Sequence, residues 1–210
     1  MTEPRTAAER VAEVVPGVWH WRIHDDRIDF VSSAHAVASS DGAVLIDPVR
    51  LSGSEPLTQF GHTFAICLTA GSHQRSAWRI RREVGASVWA PALARELEEE
   101  PDVRYGAGDV LPGGLVAYFT PGAGTTQHTL LLEERCVVFV PDLLLRSEGS
   151  ELAINPWEHS YDPAEQRRSL EKILELPFSV LCLAHGAPVT EEPKAAIHEA
   201  LARAGPTRFD

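Results

Sequence analysis

Long apolar runs and clusters of basic residues are both missing from this sequence. No stretch approaches the roughly 18 uninterrupted apolar residues that a membrane-spanning helix requires, and 19 Lys and Arg residues are outnumbered by 30 Asp and Glu. The formal net charge of −11 disfavours binding to nucleic acid or to an anionic membrane. The first residues, Met1 to Thr6, also lack the basic-then-apolar pattern of a signal peptide. We therefore expect neither nucleic acid nor a membrane as a partner.

Cysteine is scarce, with three residues in a chain of 210. Cys67, Cys136 and Cys182 are far apart, and each lies within an apolar run. Such cysteines are typical of buried, reduced thiols, so we predict a cytoplasmic protein. No Gly-rich segment is followed by the Lys-Ser/Thr of a phosphate-binding loop, and no Gly-x-Ser-x-Gly motif marks a nucleophilic serine. These two common kinds of active site are therefore not indicated.

The apolar content, 44% of the residues, is sufficient for a substantial core. Alternating apolar residues and turn signals predict four successive regions that are β-rich, α/β, β-rich and α/β. Two halves that each pair a sheet with helices predict one domain of four layers, αββα, over residues 1–210. Residues 1–15 are polar and form an N-terminal extension, in which Thr6 and Glu9 have the spacing of a helix-capping box.

The chain is organised around a predicted strand, turn and helix. The strand, Phe64 to Leu68, has the length and boundaries of a buried strand. Ser72 is a favourable N-cap for a helix that reaches Val84. Another strand begins at Val88, which completes a β-α-β unit and predicts parallel pairing. In such units the loop after the first strand is where α/β folds place their functional groups.

Capping and turn residues predict the remaining helices. The strongest start is Asp162-Pro163-Ala164-Glu165, an N-cap followed by Pro at the first helical position and Glu at the third. The other predicted helices begin near Ser54, Pro91 and Thr190 and end near Gly61, Glu100 and Gly205, whereas the Asp162 helix ends near Leu176.

Six short motifs occur in a particular order along nearly the whole chain. They are Val15-Pro16-Gly17-Val18-Trp19, Gly42-Ala43-Val44-Leu45-Ile46-Asp47, Leu68-Thr69, Thr120-Pro121-Gly122, Val138-Phe139-Val140-Pro141-Asp142 and Leu183-Ala184-His185-Gly186. In this order and spacing, the sequence resembles the metallo-β-lactamase superfamily. The resemblance implies an α/β (α+β) fold, the αββα sandwich, with one or two metal ions at the sheet edges and hydrolase activity. It also implies that Asp47 supports the site from behind.

The metal-binding motif of that family is altered in this sequence. The family motif is Thr-His-x-His-x-Asp-His, followed later by a His in a Thr-Pro-Gly-His segment. The positions that have changed are occupied here by Ala70, Ser72, Gln74, Arg75 and Ala123. Asp142 and His185 keep a ligand type. Because a zinc site needs three or four N, S or carboxylate ligands, we predict a degenerate site that holds no metal.

Two further residues bear on this prediction. His73, one position after Ser72, is expected to cap the helix or face solvent. A shifted zinc site made of His73, Asp142 and His185 remains as the alternative. Arg75 is predicted to replace the missing metal charge by pairing its guanidinium with the Asp142 carboxylate.

Three functions follow from these interpretations. The first is non-catalytic binding of a small molecule, preferably an anion, or of a partner in the inherited cleft. The predicted ligand-binding residues are Ser72, His73, Arg75, His35, Ala123 and Gly124. The second is a metal-dependent hydrolase with a shifted or reduced site. If the site is catalytic, Asp142 and His185 are the candidate catalytic residues, and without a metal this pair would act as a general base. The third is a structural protein that uses the fold for contacts with itself, as a homo-oligomer, or with partners.

Overall fold

The computed structural model describes residues 3–53 and 57–205, which contain fourteen β-strands and three α-helices. The strands are β1 (Ala12–Val15), β2 (Val18–Asp25), β3 (Phe30–Ser39), β4 (Gly42–Ile46), β5 (Thr63–Cys67), β6 (Ser87–Pro91), β7 (Val103–Tyr105), β8 (Val110–Leu111), β9 (Leu115–Phe119), β10 (His128–Leu132), β11 (Val137–Val140), β12 (Leu144–Leu145), β13 (Ala153–Ile154) and β14 (Val180–Leu183). The helices are α1 (Ala77–Val84), α2 (Pro163–Glu175) and α3 (Pro193–Ala204).

The first seven strands form one sheet in chain order. Strands β1 to β4 pair antiparallel, whereas β4 to β7 pair parallel. The predicted central unit is present as β5, α1 and β6, with β5 and β6 parallel. A second sheet has the order β14-β11-β10-β9-β8, in which only the β11–β14 pair is parallel. Strands β12 and β13 form a separate antiparallel pair.

Side-chain alternation along the central strands creates the layers. In β4, Ile46 faces the core between the two sheets, whereas Leu45 faces the core that contains Trp78 of α1. In β11, Phe139 faces the inter-sheet core, whereas Val138 packs with residues of α2 and α3. Because successive strand residues point to opposite faces, each sheet buries one face on the other sheet and one on helices. The predicted αββα sandwich is confirmed.

Helix α1 begins at Ala77 and not at the predicted Ser72. Residues Gly71–Gln74 form a 3-10 turn, and Arg75 then has a φ of 37°, which a right-handed helix does not tolerate. The predicted N-cap is therefore wrong. The irregular turn directs the side chains of residues 73 to 76 into the protein, where they are buried.

The predicted helix from Pro91 to Glu100 is also wrong, because side chains from elsewhere hold this segment in turns. Gln74 donates from Nε2 to the Glu96 carbonyl (3.2 Å) and accepts the N–H of Glu98 at Oε1 (2.8 Å). Arg104 donates to the Ala94 carbonyl at 2.8 Å. These contacts satisfy main-chain groups that a helix would have used internally.

The ends of α2 and α3 agree better with the capping signals. Asp162 accepts the N–H of Glu165 at 2.9 Å as the N-cap of α2, as predicted. Helix α3 starts three residues after the predicted Thr190 and ends before Gly205. No helix within the described ranges is long and apolar enough to cross a membrane.

The N-terminal predictions fare differently. The segment that contains Thr6 and Glu9 is not helical; Ala8 instead forms a β-bridge with Leu51. The helix start predicted at Ser54-Glu55-Pro56 lies outside the described residues. A 3-10 turn, Thr58–Phe60, ends at the predicted Gly61.

Candidate functional site

The candidate site lies where four strands end. Asp47 directly follows β4, and Thr69 lies two residues beyond β5. Asp142 and His185 each lie two residues beyond the ends of β11 and β14. Strands β4 and β5 are parallel neighbours in the first sheet, and β11 and β14 are parallel neighbours in the second. Because parallel neighbours end at the same edge, their loops bring polar groups from both sheets together.

His73 is held between two carboxylates. Its Nδ1 lies 2.9 Å from Oδ2 of Asp47, its Nε2 lies 2.9 Å from Oδ1 of Asp142, and the residue is 3% exposed. Carboxylates only accept hydrogen bonds, so both ring nitrogens donate and the ring is cationic. Burial alone would lower the pKa of His73, but the charges of Asp142 and Asp47 raise it from 6.5 to about 9. The expectation of a solvent-facing His73 is wrong.

Asp47 supports His73 from the side away from Asp142. Its carboxylate accepts the N–H of Thr69 (2.8 Å), the Thr69 hydroxyl and Nδ1 of His73. Burial would raise the pKa of Asp47, but the charge and hydrogen bond of His73 outweigh burial and lower it. Asp47 is therefore ionised and orients the His73 ring.

Asp142 is the centre of the cluster. Its Oδ1 accepts from Nε2 of His73 (2.9 Å) and from Nε2 of His185 (2.8 Å), and its Oδ2 accepts from Nε2 of Gln127 (2.6 Å). Although burial would raise the pKa of Asp142, the charge of His73 and the hydrogen bonds from both rings hold it well below its usual range. Three donors therefore stabilise the ionised carboxylate.

His185 completes the cluster on its open side. Its Nδ1 lies 2.6 Å from the carbonyl oxygen of Val31 on β3, which makes Nδ1 the donor there. The side chains of His185 and Asp142 are 14% and 26% exposed, so solvent reaches the site past these two residues. Ligand atoms of His73, Asp142 and His185 all lie within 4.8 Å of one another.

Arg75 is buried beside this cluster, at 2% exposure. One terminal nitrogen, Nη1, donates to the carbonyls of Ser33 and Asp47 (3.0 Å to Asp47), and the other, Nη2, donates to the Ala184 carbonyl at 3.2 Å. Among the described residues no hydrogen bond joins Arg75 to Asp142, so the predicted pairing is wrong. The guanidinium donates instead to a main-chain oxygen of β3 and to those of the residues that follow β4 and β14, and His73 supplies the cation that Asp142 contacts.

The two-metal ligand set of the resemblance cannot form here. Ala70 and Ala123 carry no ligand atom, Ser72 is exposed, and Ala123 packs against the apolar core beneath α2 and α3. Gln74 is engaged with main-chain groups of the Glu96–Glu98 segment and accepts the indole N–H of Trp78 at 2.8 Å.

A single-metal set does fit the residues present. Two imidazole Nε2 atoms and a carboxylate oxygen are zinc ligands, and both Nδ1 atoms donate to a carboxylate or carbonyl, as ligating histidines do. The observed Nε2–Oδ1 separations of 2.9 and 2.8 Å are hydrogen-bond distances. Two ligands that each lie 2.0–2.1 Å from tetrahedral zinc are about 3.3 Å apart. Zinc binding would therefore lengthen each Nε2–Oδ1 separation by roughly 0.5 Å and displace the Nε2 protons of His73 and His185.

The other residues predicted for the site lie around it. His35 is buried between the sheets, with its ring against those of His20 and Phe139, and its Nε2 has no partner among the described residues. Gly124 lies in the loop after β9, where its carbonyl accepts the N–H of Gly122 at 3.0 Å. Neither contacts the His73–Asp142–His185 cluster through a hydrogen bond found in the described chain.

Two contributors were missed by sequence reasoning. Gln127 donates to Asp142, and the Val31 carbonyl orients His185. A lone Gln before a strand carries no recognisable signal, and a main-chain oxygen carries none at all. The neighbouring His128 packs between the rings of Tyr105 and Phe119, so it gives no sign that Gln127 contributes to the site.

Known structures show the same fold. The DIM-1 metallo-beta-lactamase exposed to ceftazidime is 14% identical with a TM-score of 0.73, covering 95% of this chain and 99% of that one. A metallo-beta-lactamase from Pontibacter korlensis is 18% identical with a TM-score of 0.71, over 91% and 97% of the two chains. A metallo-beta-lactamase family protein from Thermus thermophilus is 16% identical with a TM-score of 0.68, over 91% and 80%. At these identities the likeness concerns the fold alone.

Comparison of the sequence with curated proteins finds no match. A family model described as the metallo-beta-lactamase superfamily matches residues 13–200, which is most of the chain. The matched range contains all residues of the candidate site and the four strands, β4, β5, β11 and β14, at whose ends they lie. The chain therefore belongs to the metallo-beta-lactamase superfamily.

Proposed function

We propose that this protein is a hydrolase that uses one divalent metal ion, zinc by the type of its ligands, held by His73, Asp142 and His185. The observation that supports this proposal is the convergence of two imidazole Nε2 atoms on one carboxylate oxygen, while each Nδ1 is fixed by an acceptor. Carboxylate–histidine pairs of this kind fix the orientation of metal-ligating rings. Membership of the superfamily supports hydrolysis as the reaction class.

The protein's own residues have distinct roles in this proposal. Asp47 holds Nδ1 of His73, and the Val31 carbonyl holds Nδ1 of His185, so both rings present Nε2 to the same point. Gln127 holds the second oxygen of Asp142, which leaves Oδ1 directed at the two rings. The partly exposed His185 and Asp142 form the side by which water and substrate enter. Zinc bound there would lower the pKa of a bound water to near 7 and so supply a nucleophile.

Binding without catalysis is the second candidate, and the short contacts of Asp142 favour it. Asp142 already receives three hydrogen bonds, from His73, Gln127 and His185. A cluster with these hydrogen bonds is stable without a metal ion. A small anion and a homo-oligomer remain predictions under this candidate. The anion site predicted at Ser72 has lost its helix N-terminus, and the donors of Arg75 are used internally.

The test is zinc binding by protein purified without chelator and then stripped of metal. Calorimetric titration of wild type should give one zinc per chain, and His185→Gln and Asp142→Asn should each weaken binding by at least roughly tenfold. His198→Gln, an exposed histidine on α3, is the matched control and should bind as wild type does. Zinc-loaded wild type should hydrolyse at least one of a β-lactam, a thioester and a phosphodiester, and the two site variants should not.

Two outcomes would decide against the hydrolase. Wild type that takes up no zinc above the level of His185→Gln would leave the metal-free binding protein as the function. Stoichiometric zinc without turnover of any substrate class would limit the site to a metal-binding role.

A further inference from the structure

Arg75 gathers carbonyl oxygens from three strands at the floor of the site. Ser33 lies within β3, Asp47 follows β4, and Ala184 follows β14. Strands β3 and β4 belong to the seven-stranded sheet, whereas β14 belongs to the five-stranded sheet. One buried guanidinium therefore joins the two sheets at the edge where the functional side chains emerge.

Each of these carbonyls lies at or within two residues of a residue that orients or carries one of the imidazoles. Asp47 offers its carbonyl to Arg75 and its carboxylate to Nδ1 of His73. Ala184 directly precedes His185. Ser33 is two residues from Val31, whose carbonyl receives Nδ1 of His185, and the N–H of Ser33 donates to the Ala184 carbonyl at 2.8 Å. Arg75 thus binds the main chain at or within two residues of Asp47, Val31 and His185, which carry or orient the two rings.

The conformation of Arg75 also indicates a specific role. A non-glycine residue with a φ of 37° is uncommon, and such a conformation persists where the surroundings over-determine it. Here the turn from Gly71 to Gln74 brings His73 and Arg75 into the interior together. The planar fork of a guanidinium can serve several fixed acceptors at once, which an ammonium does less well.

We propose that Arg75 is a positioning residue that sets the orientation of His73 and His185 by holding the main-chain oxygens of Ser33, Asp47 and Ala184. This proposal names a residue of the same site as the proposed function, but it applies to the metal-free protein. Within the described residues Arg75 makes no hydrogen bond to either ring, so its positioning effect passes through the main chain that carries Asp47, Val31 and His185.

The experiment follows the two Nδ1 protons by NMR in metal-free protein labelled with ¹⁵N-histidine. The Nδ1–H groups of His73 and His185 should give separate downfield signals, assigned by their loss in His73→Gln and His185→Gln. In Arg75→Gln both protons should exchange with water at least roughly tenfold faster than in wild type, because the strand ends are no longer fixed. The matched control is Arg135→Gln, since Arg135 donates to the Pro16 (2.9 Å) and Ala38 (3.0 Å) carbonyls far from the site.

Arg135→Gln should lower stability while leaving both imidazole signals as in wild type. If Arg75→Gln lowers stability but keeps both signals at wild-type exchange rates, Arg75 is merely structural and the proposal is wrong. Should Arg75→Gln not fold, Arg75→Lys is compared with Arg135→Lys; unshifted imidazole resonances in Arg75→Lys would equally overturn the proposal. Failure of wild type to bind zinc would refute the hydrolase and leave this measurement unaffected.

Discussion

A single oxygen atom, Oδ1 of Asp142, accepts hydrogen bonds from two imidazole rings that come from opposite halves of the chain. The same atoms can serve as a proton-bound network or as three ligands of one cation, and each Nε2–Oδ1 separation differs between the two uses by roughly half an ångström. Asp47 matters for both, because it decides which nitrogen of His73 faces Asp142. A substitution of Asp47 therefore tests whether His73 is a metal ligand.

Asp47→Asn should weaken zinc binding by about 10- to 100-fold, the usual effect of losing the acceptor behind a ligating histidine. Asparagine keeps the size of the side chain but removes the charge that fixes the His73 tautomer. Calorimetric titration measures the change. Asp102→Asn alters a carboxylate that accepts from Arg81 and from the N–H of Val88 (both 2.8 Å) at the start of β6, and it should leave zinc affinity unchanged. Equal affinities in wild type and Asp47→Asn would show that His73 is not a ligand.

The sequence identified part of the site residue by residue. Asp142 and His185 follow apolar strands, and the resemblance to the family singles them out as the positions that keep a ligand type. A regular helix would put His73 on a different face, whereas the chain here is a 3-10 turn broken at Arg75. The sequence pairs Arg75 with a carboxylate because it shows charges but does not show unpaired main-chain carbonyls.

The β2–β3 hairpin is held at its turn by one buried carboxylate. Asp25 accepts from Nε (2.8 Å) and Nη2 (2.5 Å) of Arg27 and from the hydroxyl of Ser32 (2.8 Å). Burial would raise the pKa of Asp25, but the hydrogen bonds from Arg27 and Ser32 lower it from 3.8 to about 2. The hairpin leads into Val31, so this clamp also steadies the acceptor of His185.

The depressed pKa of Asp25 predicts a loss of stability in acid. Between pH 4 and 2 the unfolded chain binds the proton more readily, so the contribution is full above about pH 4 and is lost as pH falls through about 2. The difference amounts to about 2 kcal/mol. The advantage of wild type over Asp25→Asn in urea unfolding should shrink by that amount from pH 5 to 2. An advantage of wild type over Asp25→Asn that stays constant from pH 5 to 2 would contradict this prediction.

The loop after β14 depends on glycine at position 186. Gly186 has a φ of 127°, and a Cβ there would lie 2.2 Å from the Arg146 carbonyl oxygen. Gly186→Ala should therefore lower the free energy of unfolding by roughly 2 kcal/mol more than Gly61→Ala, which has a positive φ but open space around it. Urea denaturation of both variants gives the comparison; equal losses would mean that the loop relaxes freely.

At the level of elements, sequence predicted strands better than helices. β5 and β11 are short apolar runs that pair with neighbouring strands and pack in the core. Their composition and their position in the sheets therefore both favour a strand. The segment after Pro91 has helix-forming composition, but Gln74 and Arg104 occupy its main-chain groups and hold it in turns. Tertiary contacts overrode local preference there.

For the whole molecule, a ligand that binds only the folded state raises its stability. If zinc is bound as proposed, its free concentration at about 100 times Kd should add about 2.7 kcal/mol. For a domain of this size, that corresponds to a rise in Tm of roughly 5–10 °C. Scanning calorimetry with and without zinc measures the shift, and chelator should reverse it. His73→Gln should show none; an equal shift in that variant would place the metal elsewhere.

The parallel pairing of β11 with β14 has a consequence for the growing chain. β11 is a run of four apolar residues, Val137–Val140, all buried in the folded protein, and its outer neighbour comes from about forty residues later. Until β14 has been synthesised, β11 presents an uncovered strand edge, the kind of surface that templates aggregation. A chain interrupted before Val180 would keep that edge and would also lack His185. Any chaperone that attends this protein during translation therefore has a defined segment to shield.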